Sequence, residues 1–178
     1  LAYDSTFNGG SSIISSSSIE YPNGSDIVVA KLSFDGTALA ASTYIGGTGN
    51  DGLNIDNDTR YNYGDDFRGE IIVDGSGDCY VASTTASSNF PMVNGFQSTY
   101  GGGITDGVSF KLSSNFSTLI WSSYLGGANA DAAYAVQFDQ SNDVYVCGGT
   151  TSTDFPTTGG ALTPSFLGDV DGFVVHIS

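Results

Sequence analysis

The sequence predicts an all-β fold made of repeated four-stranded antiparallel units. Three observations predict it. The segment Asp26 to Gly47, DIVVAKLSFDGTALAASTYIGG, recurs without a gap 80 residues later as Asp106 to Gly127, DGVSFKLSSNFSTLIWSSYLGG. Its opening recurs once more, 65 residues further on, as Asp171 to Ser178, DGFVVHIS. The runs between these copies are short, rich in β-branched and aromatic residues, and punctuated by 25 glycines, which favours strands joined by tight turns.

The elements follow in order. Residues 2–9, AYDSTFNG, resemble 95–102, GFQSTYGG, and more loosely 161–168, ALTPSFLG. An added segment, Ser11 to Ser25, carries a serine run and Pro22-Asn23-Gly24, and reads as an extended loop or an added hairpin. Asp26 to Ser33 is a buried strand, Phe34-Asp35-Gly36-Thr37 a turn, and Leu39 to Ile45 the next strand, closed by Gly46-Gly47. A second added segment follows within Asn50 to Gly69. Gly47 to Ile71 takes 24 residues where Gly127 to Val136 takes 9, and this difference accounts for the change of period. Ile71 to Asp74 is a short inner strand, aligned with Val136 to Asp139. Asp74-Gly75-Ser76-Gly77-Asp78 turns the chain, as does Asp139-Gln140-Ser141-Asn142-Asp143. The strands Cys79 to Thr84 and Val144 to Gly149 come next, then Ser88-Asn89-Phe90-Pro91 and Thr153-Asp154-Phe155-Pro156.

Each complete repeat therefore holds four short strands. A small twisted sheet has two apolar faces and cannot bury either alone, so such units stack radially as the blades of a β-propeller. The fold class expected is all-β, a β-propeller of four-stranded antiparallel blades, of which the chain covers a little over two. The expected blades are residues 1–53 (partial, with the insertion 11–25), 70–127 (complete) and 136–178 (partial), with an insertion loop at 54–69. Propellers need about four to eight blades. A segment of a larger propeller is expected rather than several copies completing one ring.

Lys plus Arg is 4 against 19 Asp plus Glu, for a net charge of −15. Such a surface repels DNA, RNA and anionic membranes. The sequence contains no run of 18 apolar residues of the kind that spans a bilayer as a helix. Cys79 aligns with Val144 and Cys147 with Ala82, so the two cysteines point to opposite faces of their own sheets. Either a disulfide between stacked sheets or two buried free thiols fits this placement.

Several constellations invite a chemical reading. The paired loops Asp74/Ser76/Asp78 and Asp139/Ser141/Asp143 look like the start of a calcium loop, but the same residues serve a hairpin turn. The unrepeated insertion is denser: Asp56, Asp58, Asp65 and Asp66 supply carboxylates that suit Ca²⁺, the one cofactor considered. Beside them stand both arginines of the chain, Arg60 and Arg68, with Tyr61, Tyr63 and Phe67, which could grip a sugar or a protein partner. A solvated loop held by local Arg–Asp pairs is the structural alternative. The repeated aromatics, Tyr44 with Tyr124, Tyr80 with Tyr145 and Phe90 with Phe155, read as packing residues. His176 is the only histidine and is read as a blade residue, so neither a His-rich metal site nor a Ser–His–acid set is built. No residue is assigned a catalytic role.

These elements resemble the SBBP-type β-propeller repeat. The resemblance rests on Asp74 to Val81, Thr85 to Pro91, Asp106 to Leu112 and Tyr124 to Gly127, and again on Asp139 to Val146 and Thr151 to Pro156. The chain departs from it at His176, where the strand usually carries Lys, and in the insertion at 54–69. The resemblance implies a secreted or surface-exposed bacterial protein, often long and multidomain, of a kind frequent in Bacteroidota and exported there by the type IX route. It transfers no catalytic residue. The expected function is a non-catalytic extracellular or cell-surface scaffold or adhesion module; the alternative is part of a carbohydrate-active enzyme with its site at the propeller channel. The partners expected are the remaining blades of the same protein and a surface glycan or protein.

Overall fold

The structure, a computed structural model, describes residues 2–15, 18–60 and 63–178. A two-stranded hairpin, β1 (Ile13–Ile14) and β2 (Glu20–Tyr21), occupies the first insertion. The first blade sheet pairs β3 (Ile27–Leu32) with β4 (Leu39–Ile45). The second runs in order through β5 (Glu70–Val73), β6 (Cys79–Thr85), β7 (Asp106–Leu112) and β8 (Leu119–Leu125). The third places β10 (Val144–Thr150) between β9 (Asp131–Phe138) and β11 (Asp171–Ile177). All pairings are antiparallel. A 3₁₀ turn, Tyr63–Phe67, lies in the second insertion.

Equivalent strands repeat down to their irregularities. The β3–β4 pair breaks register between Lys31 and Leu32, and the β7–β8 pair does so between Lys111 and Leu112. Their turns are built alike. Asp35 Oδ1 accepts hydrogen bonds from Ser33 Oγ, Thr37 N and Thr37 Oγ1, and Asn115 Oδ1 accepts them from Ser113 Oγ, Ser117 N and Ser117 Oγ. The left-handed residue of the turn is Gly36 in one copy (φ 71°) and Phe116 in the other (φ 59°). Phe116 adopts the strained backbone because its ring is buried in the core, which offsets the cost.

The core lies in two seams, one on each side of the middle sheet. The first packs Val29 and Ile45 of the first sheet against Val81, Val108, Phe110, Leu112 and Tyr124. The second packs Tyr80, Ala82 and Leu125 against Ala133, Val136, Val146 and Phe173 of the third sheet. Val108, Phe110 and Leu112 of β7 lie in the first seam, and the middle strands β6 and β7 are buried on both faces, whereas β5 stays largely exposed. Among the described residues these three sheets do not close into a ring.

Four expectations need correction. The strand expected to be buried, Asp26 to Ser33, buries only Val29, because its outer face has no neighbouring sheet among the described residues. The inner strand of the third sheet starts at Asp131, not Val136, because Ala132 and Ala133 pair with Gly149 and Gly148. The cysteines are free, but only Cys79 is buried; Cys147 is exposed because no sheet covers the far face of β10. Of the repeated aromatics, Tyr124, Tyr80 and Phe90 are buried, whereas Tyr145 on that same far face is 37% exposed.

Candidate functional site

The second insertion is a self-closed knot rather than a solvated loop. Asn54 and Thr59 are buried at its centre: Thr59 Oγ1 donates to Asn54 Oδ1 at 3.1 Å, and Asn54 Nδ2 donates to the Thr59 carbonyl. Asp56 Oδ1 accepts from the backbone N–H groups of Asp58 and Thr59, each at 2.9 Å, so this carboxylate serves a turn. The Asp66 carbonyl accepts from Asn54 N, tying the 3₁₀ turn back to the start of the insertion.

Arginines close the knot. Arg60 donates from Nη1 to buried Asp66 at 3.0 Å and from Nη2 to Asn57 at 2.6 Å. Arg68 Nη1 donates to buried Asp65 at 3.2 Å, and the guanidinium lies 4.9 Å from the centre of the Tyr134 ring. Tyr134, on β9, also donates its hydroxyl proton to the Thr59 carbonyl. The insertion is thereby fastened to the third sheet.

The structure therefore separates the predicted site residues. Asp56 is taken up by its turn, Asp65 and Asp66 by arginines, and Asp58 is exposed. Among the described residues, no three acidic, histidine or cysteine side chains converge as a metal centre would require. Arg60 is largely folded in; Arg68 and Phe67 stand at the surface. Tyr61 and the Tyr63 side chain lie outside the described residues. Phe67 meets Tyr21 of the β1–β2 hairpin, their rings 6.1 Å apart, so the two insertions form one lobe. That junction was not legible in the sequence, where neither insertion has a repeated counterpart.

The repeated Asp loops are turns closed by a basic side chain. Asp74 Oδ1 accepts from the N–H groups of Ser76 and Asp78, while Lys111 Nζ stands 3.2 Å from Asp74 Oδ2, 3.1 Å from Asp78 Oδ2 and 4.6 Å from the centre of the Tyr80 ring. Desolvation acts to lower the proton affinity of Lys111, but its contacts with Tyr80, Asp78 and Asp74 outweigh this and raise it. In the third sheet Asp139 holds Ser141 and Asp143 the same way, and His176 replaces the lysine: Nε2 lies 3.1 Å from Asp143 Oδ2, and the ring stacks on Tyr145.

Sequence reasoning missed the buried aspartates at the strand ends. Asp51 accepts from Gly47 N, Ser87 Oγ and Thr85 Oγ1; Asp131 accepts from Gly127 N and Ser152 Oγ, with Thr150 beside it. Asp26 caps Asn8 and Gly9, Asp106 caps Gly101, and Asp171 caps Leu167. The signal was present, since each aspartate recurs at the repeat offset.

The family model described as a β-propeller repeat, SBBP, matches residues 120–156. This span runs from β8 through β9 and β10 to Phe155 and Pro156, across the seam between the second and third sheets. No curated protein matches the chain.

Proposed function

The chain carries an SBBP β-propeller repeat, and from that premise we propose that it is a non-catalytic module of an extracellular or cell-surface propeller protein, serving as scaffold or adhesion domain. The observation that carries this reading is how the buried polar side chains are used. The recurring aspartates hold turns and strand ends, and the acids of the insertion hold arginines. Repetition of such a frame favours rigidity, and a rigid frame presents loops for binding.

The binding element in this reading is the lobe formed by the two insertions, with Tyr21, Phe67 and Arg68 at its surface. An aromatic beside amides and carboxylates suits a glycan or a protein loop. The sheet faces at both ends of the stack carry exposed apolar residues, Val28 and Leu32 at one and Tyr145 and Val174 at the other. Their counterparts in the middle sheet are covered by a neighbouring blade, so further blades are the partners expected there. Glycan-array and cell-binding measurements on the wild type and on the double variant Tyr21→Ala/Phe67→Ala test the proposal. Loss of binding with unchanged thermal stability is expected; glycoside hydrolysis by the purified chain would overturn it. Calcium binding by Asp56, Asp58, Asp65 and Asp66 predicts a higher Tm with Ca²⁺ than with chelator; the Arg–Asp pairs predict no shift.

A further inference from the structure

At each seam two aspartates meet across the first glycine of the repeated Gly-Gly pair. A Cβ built on Gly126 would lie 2.5 Å from Asp106 Oδ1 and 2.8 Å from Asp131 Oδ2. On Gly46 it would lie 2.7 Å from both Asp26 Oδ1 and Asp51 Oδ2. The two carboxylates of each pair are therefore within about 6 Å, where like charges raise one another's proton affinity. Asp106 and Asp131 are both fully buried.

Their hydrogen bonds are lopsided. Asp106 Oδ2 takes the Gly101 N–H, and Asp131 Oδ2 takes Gly127 N and Ser152 Oγ. Gly102 N also acts on Asp106 and the Thr150 hydroxyl on Asp131, but neither Oδ1 is reached by a well-formed hydrogen bond, nor is the neighbouring Thr105 Oγ1. The titratable groups acting on the pair are Asp154, Tyr100 and Tyr124, none of them cationic. Two buried carboxylates with idle oxygens and no counter-charge are not both ionised. Two such oxygens and one hydroxyl fall short of the six to eight ligands of a calcium ion.

We propose that the aspartate pair at the second seam keeps one proton up to near neutral pH, carried by Asp106, and so makes the joint between neighbouring blades sensitive to pH. Asp131 keeps the negative charge, since it has the fuller set of donors. Desolvation and the Asp131 charge raise Asp106 from 3.8 to about 7, and desolvation also raises Asp131. The first seam repeats the device more weakly: burial raises Asp51 to about 6, and its partner Asp26 is only partly buried.

The sign of the effect follows from linkage. The folded state binds the proton more tightly than the unfolded chain does, so the contribution is complete below pH 4. It declines as pH rises from about 4 through about 7 and levels off by about pH 8. Asp106→Asn keeps the shape, leaves an oxygen for Gly101 N and removes the titration. The Tm of D106N relative to wild type is expected to increase by roughly 9–17 °C between pH 4 and pH 8. Carbon-13 NMR of the wild-type aspartate carboxyls gives a second readout that needs no variant: one buried carboxyl titrating near neutrality supports the proposal. All carboxyls ionised by pH 5 would overturn it, as would a wild-type Tm at pH 8 that Ca²⁺ raises and chelator lowers through this pair.

Discussion

The middle and third sheets share a sequence pattern but not an environment. Tyr80 is 7% exposed where Tyr145 is 37% exposed; Ser109 is fully buried where Val174 is 73% exposed. The more apolar residue of the second pair is the more exposed one. Burial here is conferred by the neighbouring sheet and not by a strand's own composition, because a single blade has no interior. The same holds for Cys79, which faces the first sheet, and Cys147, which faces none.

The strongest way to break this comparison is to remove a side chain that two sheets share. Phe110 is fully buried in the first seam and its ring meets that of Phe90, 6.0 Å away. Phe110→Ala is expected to cost about 3–5 kcal/mol in denaturant melts. Val174→Ala, on the open face of β11, is expected to change stability by less than about 0.5 kcal/mol. Equal losses would mean that Val174 is covered.

The next effect sharpens the contrast between seams. Gly126→Ala drives a methyl group into Asp106 and Asp131, whose surroundings are closed, and is expected to cost about 1–3 kcal/mol. Gly46→Ala meets buried Asp51 as well as Asp26, but Asp26 is only partly buried and can give way, so its cost should be the smaller of the two. Thermal unfolding of both variants at the same pH decides the order.

These pairs also show what a reader of the sequence can and cannot see. The strands, their order and the Gly-Gly closures were legible because the repeat offset imposes one pattern on several copies. Asp26, Asp106 and Asp171 were legible as landmarks, but their role as caps was not, because it depends on backbone N–H groups four to eighteen residues away along the chain. The insertion was least legible. Asn54, Thr59 and Tyr134 lie far apart in the register of hydrophobicity, and only the fold shows that Tyr134 of β9 closes on a carbonyl 75 residues earlier.

A smaller effect is expected at the cation of the Asp turns. Lys111→Met leaves Asp74 and Asp78 without their counter-charge and is expected to cost about 1–2 kcal/mol. In the third sheet the pair His176–Asp143 is half-exposed, so His176→Lys is expected to gain no more than about 0.5 kcal/mol. Stability curves in low and high salt separate the two, since the Lys111 cluster is the better shielded.

The contrast between the two cysteines is the most diagnostic of the open face. Cys79→Ser places a hydroxyl among Val81, Phe110 and Leu112, where burial already pushes the thiol up to about 11, and is expected to cost about 1–3 kcal/mol. Cys147→Ser exchanges one solvated group for another and should be neutral within about 0.5 kcal/mol. A thiol reagent should label Cys147 in the folded protein and reach Cys79 only on unfolding. When a further blade covers β10, the ordering changes: Cys147 becomes protected from the reagent and its serine variant becomes costly. Labelling this chain alone and together with neighbouring blades therefore measures directly whether an adjacent sheet supplies the burial that β10 lacks.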